Sequence, residues 1–265
     1  MSVELARQSP PGLVLFFKRI LGTPQADAPS ERRGGNRYAV GARFPMKVIL
    51  NLQGRDEMGQ PLKSQGNAGW DWTGRLINLS VSGARMQVPS TMHAHQGDAC
   101  QLKFEIEGYQ LVLPGRLAHI SERRDSFIYG LQLDVGADEH GQAYRQLVDL
   151  VSLGATLKPA KPAERDETSG YLVEQYIGEE KSRLDVWREY AGRTIVAFDF
   201  RLKEWCVRGL LDRPTLEYFV DVNDETQPAP AAQTAEIQRL FYWVVPNVAT
   251  EVPADVREFL QKFAA

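Results

Sequence analysis

The sequence is poor in cysteine: Cys100 and Cys206 are the only two in 265 residues, far apart and in apolar surroundings. That excludes a disulfide framework or a zinc ribbon, which need several closely spaced ligands. Both are expected as reduced thiols in or near a core, which fits a cytoplasmic protein. An excess of charge of one sign is also missing. With 31 Lys and Arg against 34 Asp and Glu, the net charge is −3, so the molecule is not a polycation for DNA, RNA or an anionic membrane. Any anion site must come from a local arginine cluster. No long hydrophobic run occurs. The most apolar N-terminal stretch, Leu13–Phe17 within PGLVLFFKRILG, is too short to span a bilayer. It predicts a short amphipathic helix that packs on the protein or meets a partner, and no secretory leader is expected. The G-x-x-x-x-G-K, G-x-S-x-G and H-E-x-x-H patterns are absent as well, so three large enzyme classes lose support. His93 and His95 in MHAHQGD are at most half of a metal site, with no further ligand close by; no metal and no cofactor are expected.

What is present is an ordinary globular composition, 43% hydrophobic and 25% charged. Residues 23–36, rich in Pro, Ala, Ser and Gly, read as a mobile linker. Beyond it, Phe44, Met46, Val48 and Leu50 alternate as in a half-buried strand. After the polar loop 53–69, strands are expected at Trp72–Asn78, Gly83–Val88, Ala99–Ile106, Gln110–Ile120 and Phe127–Asp134, with turns at Gly97-Asp98, Glu107-Gly108 and Arg124-Asp125. Short strands separated by turn residues predict an antiparallel barrel or sandwich. A helix over Asp138–Leu153 follows, with Tyr144, Leu147, Val148 and Val151 at helical spacing.

Residues 154–170 (GATLKPAKPAERDETSG) again read as linker. The remaining stretch, 171–265, predicts a small α+β domain: a helix over Glu179–Tyr190 capped by Gly192, strands at Thr194–Phe200, Trp205–Leu211 and Thr215–Val222, a loop at 223–233, and helices over Ala235–Val245 and Pro253–Phe263. Its acidic residues Asp185, Asp199 and Asp212 are scattered and read as solvated.

Two motifs stand out in the first half. Arg33-Gly34-Gly35-Asn36-Arg37 is an R-x-x-x-R just before the first strand, and Asn78-Leu79-Ser80-Val81-Ser82-Gly83 is an N-x-S-x-x-G at a turn between strands. Each alone is weak. In this order, within a run of strands that includes RFPMKVILNL, LVLPGRLAHI and YGLQL and ends in a helix, they resemble the PilZ domain. The resemblance covers residues 30–153 and implies a mainly β fold, an antiparallel barrel with a closing helix. It leaves 1–29 as an N-terminal amphipathic segment and linker, 154–170 as linker, and 171–265 as a C-terminal domain of unknown role.

The resemblance also implies a ligand, the bacterial second messenger cyclic di-GMP, held by Arg33, Arg37, Asn78, Ser80 and Gly83. The chemistry suits it. Arginine pairs bidentately with guanine O6/N7 or with phosphate and lies flat on a purine face. Asn78 offers both a donor and an acceptor to a guanine edge, and Gly83 is expected at a positive φ or a close ligand approach. Arg32 bears on whether one ligand or an intercalated dimer is held. Residues 23–36 would then order on binding and signal to a protein partner through the N-terminal segment or the C-terminal domain. Two alternatives stay open: a PilZ-shaped scaffold that binds no nucleotide, and an enzyme with its chemistry in 171–265, for which no catalytic set is evident.

Overall fold

The computed structural model describes residues 35–53, 69–222 and 225–264. The N-terminal amphipathic segment, Arg32 and Arg33 lie outside these residues. The fold is mainly β, built on two seven-stranded antiparallel sheets.

The first sheet comprises β1 (Tyr38–Ala39), β2 (Lys47–Leu52), β3 (Asp71–Ser80), β4 (Gly83–Pro89), β5 (Ala99–Ile106), β6 (Tyr109–Arg123) and β7 (Ser126–Leu133). Its order is β1-β3-β2-β5-β6-β7-β4, and β4 also pairs with β3. Six strands therefore close into a barrel, and β1 adds to the outside of β3. Alternation dictates which side faces in. In β5, Cys100, Leu102, Phe104 and Ile106 are buried while the residues between them are partly exposed. In β4, Ala84, Met86 and Val88 are buried in the same way. Helix α1 (Glu139–Ala155) sets Tyr144 on this core: its ring centroid lies 5.8 Å from that of Phe104, and its hydroxyl donates to Gly83 O at 2.8 Å.

The second sheet is a meander in chain order: β8 (Lys158–Arg165), β9 (Leu172–Ile177), β10 (Ser182–Arg188), β11 (Ile195–Leu202), β12 (Trp205–Leu210), β13 (Arg213–Val222) and β14 (Glu225–Pro228). One face carries Leu184, Val186, Phe198, Phe200 and Val207, all fully buried. They pack with α2 (Ala231–Val244) and α3 (Ala254–Phe263). Phe198 stacks on Phe241 at 5.7 Å and meets Phe263 edge-on at 5.5 Å. Gly209 makes room for that ring, since a Cβ there would lie 2.2 Å from Phe198 Cε1. Arg188, 5% exposed, sits among buried side chains. Its guanidinium donates to Asp255 Oδ2 at 2.6 Å and to Arg193 O at 3.0 Å, and its Nε lies 3.0 Å from Glu174 Oε1 without hydrogen-bond geometry.

Four readings of the second half need correction, the first being the loop expected at 223–233, where β14 covers Glu225–Pro228 and α2 starts at Ala231. Residues 179–190 form the end of a hairpin and β10, not a helix, and the backbone turns back through Arg193, whose N–H donates to Glu189 O. Residues 158–165, read as linker, are the edge strand β8. Every one of them is exposed, so no apolar alternation marks the strand, and an edge tolerates Pro159 and Pro162. Asp185 and Asp199 are not solvated. They face each other across β10 and β11 at 5% and 7% exposure. Asp185 accepts from Arg183 and Gln175, and Asp199 accepts from Arg208 at 2.7 Å through both oxygens.

The described chain gathers into two compact units that do not follow chain order. One holds Pro45–Leu76 and Val81–Gln146; the other holds Gly35–Phe44, Ile77–Ser80 and everything from Leu147 on. Leu76 is buried in the first unit, and Leu79 is fully buried in the second.

The two cysteines are buried, at 2% and 1% exposure. Burial, reinforced by Asp98 for one and Asp199 for the other, pushes both thiols up to about 12. Folding thus favours the neutral thiol, and that contribution is complete below the ordinary value of 9.0 and lost as pH rises toward about 12. Iodoacetamide at mildly alkaline pH is expected to leave both thiols unmodified in the native protein and to alkylate both after denaturation, as read by mass spectrometry.

Candidate functional site

Strand β1 pairs antiparallel with the end of β3, Tyr38 opposite Leu79 and Ala39 opposite Asn78. Extending that register by one residue sets Arg37 opposite Ser80. Paired residues share a face of a sheet and neighbours along a strand alternate. Arg37, Ala39, Asn78 and Ser80 therefore lie on one face, and Tyr38 and Leu79 on the other. Of the expected ligand residues, Asn78 stands opposite Ala39 in the ladder, Ser80 ends β3, and Arg37 directly precedes β1. Arg37 is exposed, Asn78 partly so, and Ser80 is 7% exposed, which suits its hydroxyl to bracing the strand end.

Gly83 is separated from this ladder by the turn Val81–Ser82 and opens β4, paired with Gln132. The left-handed backbone expected there is not found: the described glycines with positive φ are Gly69, Gly97, Gly108 and Gly170. The two-residue turn needs no such residue, and Gly83 instead enters the strand while its carbonyl accepts from Tyr144. Arg32 and Arg33 are outside the described residues.

The segment around Arg37 is anchored at four points. The first is the β1–β3 ladder. In the second, Tyr38 Oη donates to Glu179 Oε2 at 2.8 Å, and Asn36 Nδ2 reaches Glu179 Oε1 at 3.5 Å. In the third, Gly41 N donates to Asn247 Oδ1 at 2.9 Å, and the backbones are so close that a Cβ on Gly41 would lie 1.8 Å from Pro246 O. The fourth is Arg43, which donates to Gln261 Oε1 at 2.6 Å. Burial, then the Glu179 hydrogen bond, pushes the Tyr38 phenol up to about 12. None of Glu179, Asn247 and Gln261 belongs to either motif. No signal in the sequence ties them to Arg37, since the partners are 143, 206 and 218 residues apart.

Among the described residues no group of three or more His, Cys, Asp and Glu is placed to hold a metal ion. No described helix is long and apolar enough to cross a membrane. His119 Nε2 lies 2.9 Å from Ser121 Oγ, a local contact on β6.

No curated protein matches the chain. Among solved structures, the Borreliella burgdorferi PlzA protein in complex with c-di-GMP aligns with a TM-score of 0.29 and 10% identity, covering 86% of this chain and 97% of that one. The family model described as PilZ domain matches residues 33–152. It spans the R-x-x-x-R motif, the barrel, the N-x-S-x-x-G turn and most of α1. Residues 33–152 of this chain are a PilZ domain.

Proposed function

We propose that the protein is a receptor for cyclic di-GMP that signals to a protein partner and carries out no chemistry on its ligand. PilZ domains are a family of cyclic di-GMP receptors. The observation that carries the reading here is the pairing of Tyr38 with Leu79 and of Ala39 with Asn78, a register that, carried on by one residue, puts Arg37 on the face of Asn78 and Ser80. The ligand's two phosphates call for cations and its guanines offer O6 and N7 as paired acceptors. An exposed arginine beside a partly exposed asparagine supplies both kinds of recognition. Arg33 adds the second fork, Ser80 braces the turn, Gly83 starts the strand beyond it, and Arg32 favours an intercalated ligand dimer. Signalling then depends on a conformational change that ligand binding sets off.

The test is calorimetric titration of cyclic di-GMP into the wild type and an Arg33→Ala/Arg37→Ala variant. Saturable binding that the variant abolishes is the expected result, and a stoichiometry of two ligands per chain would mark the dimer. A wild type that takes up no ligand would sink the receptor reading and leave a PilZ-shaped scaffold.

A further inference from the structure

We propose that Glu179, on the turn between β9 and β10, is a positioning residue for cyclic di-GMP: one carboxylate grips both chain neighbours of Arg37 and so fixes the arginine beside Asn78 and Ser80. This rests on the receptor reading above. Asn36 and Tyr38 use one oxygen each of Glu179. In extended backbone, residues on either side of a position point the opposite way to it. The grip on Asn36 and Tyr38 therefore leaves the Arg37 side chain on the face it shares with Asn78 and Ser80, and the Glu179 carboxylate stays off that face.

The turn that presents Glu179 is itself fixed. Its N–H donates to Thr156 Oγ1 at 2.8 Å, and Thr156 Oγ1 donates to Ser152 O at 2.7 Å. Its carbonyl accepts from Ser182 N at 3.0 Å and from Ser182 Oγ at 2.9 Å. Glu180 and Lys181 follow at φ of 54° and 60°, the mirror-image hairpin turn that usually selects Asn and Gly. Two ordinary side chains accept that backbone while the turn holds Glu179 in place. A bidentate contact needs the guanidinium at a set position and angle. An arginine whose backbone is ordered before the ligand arrives spares the ordering entropy at binding.

The experiment titrates cyclic di-GMP into the full chain as wild type, Glu179→Ala, Glu179→Gln and Tyr38→Phe. Removing the acceptor should raise the Kd about tenfold, and removing the Tyr38 hydroxyl alone about threefold. Glu179→Gln should bind near wild type, because its amide oxygen still accepts from Tyr38. Glu179 is exposed, so the Tm of Glu179→Ala should stay near wild type, while the Tyr38 phenol, read by ultraviolet titration, falls from about 12 by the part that Glu179 adds to burial. Wild-type affinity in Glu179→Ala or Tyr38→Phe overturns the inference and leaves the receptor reading intact, and so does a Glu179→Gln variant as weak as Glu179→Ala. A wild type that fails to bind overturns both. Tyr38→Phe removes a single oxygen and carries the test alone if Glu179→Ala does not fold.

Discussion

Arg37→Ala is expected to weaken cyclic di-GMP binding about 100-fold in calorimetric titration, because it removes a bidentate fork worth about 1–3 kcal/mol of recognition together with a charge opposite phosphate. Arg37→Lys should recover only a small part of this: an ammonium is a point charge and cannot pair with two acceptors in one plane. Asn78→Ala, which removes an uncharged partner, should cost about tenfold. Arg37 is exposed and lies just before the short β1, so its loss should leave the unfolding transition unchanged. That separates a recognition defect from a folding one. An Arg37→Ala protein that binds as the wild type does would show that the face shared by Arg37, Asn78 and Ser80 is not where the ligand sits.

Arg188→Ala should produce the largest loss of stability in the second unit, about 3 kcal/mol in urea unfolding. The side chain is 5% exposed and links Glu174 on β9, the Arg193 carbonyl on the β10–β11 turn and Asp255 at the start of α3. Truncation leaves a cavity where the stem was and takes the counter-charge from Glu174, whose side chain is only 20% exposed and keeps just the hydrogen bond it accepts from Tyr176. Arg188→Met keeps most of the volume and should lose roughly half as much. The pH dependence follows from Asp255, which the Arg188 hydrogen bond holds below its ordinary value of 3.8. A depressed carboxylate contributes stability above that value and loses it as pH falls further. Arg188→Ala should therefore flatten the acid limb of the stability curve as well as lower its plateau. An Arg188→Ala protein with wild-type urea and acid profiles would mean that the triad contributes nothing net.

The barrel was legible because its strands obey a simple rule. Cys100, Leu102, Phe104 and Ile106 alternate with partly exposed residues, and the turns at Glu107-Gly108 and Arg124-Asp125 punctuate the run, so Ala99–Ile106 was expected to the residue. Helix α1 was legible from Tyr144, Leu147, Val148 and Val151 for the same reason, all of them buried. The second half broke the rule twice. In β10 the inward positions are Ser182, Leu184, Val186 and Arg188. A buried arginine at one end and a buried serine at the other hide the alternation, and the remaining Glu, Lys, Arg and Asp read as a solvated helix. In β8 no residue is buried at all. The candidate site divides in the same way. Arg37, Asn78, Ser80 and Gly83 were visible as motif letters, whereas the carboxylate that grips the neighbours of Arg37 comes from 141 residues beyond Tyr38, a separation that only the fold closes.

Strand β8 has a consequence for where this chain can be divided. Composition invites a cut at Tyr171, after the stretch of Lys, Pro and Glu. Such a cut would strip away a border built from Lys158, Pro159, Lys161 and Pro162 and bare the backbone of Leu172–Ile177. That segment carries no proline and ends in Ile177, 48% exposed even with its neighbour in place. A bare row of N–H and C=O groups on an apolar strand is a template for a second copy of itself. The plain-looking stretch between the halves is thus a guard against self-association, and its lack of apolar residues is what suits it to that place.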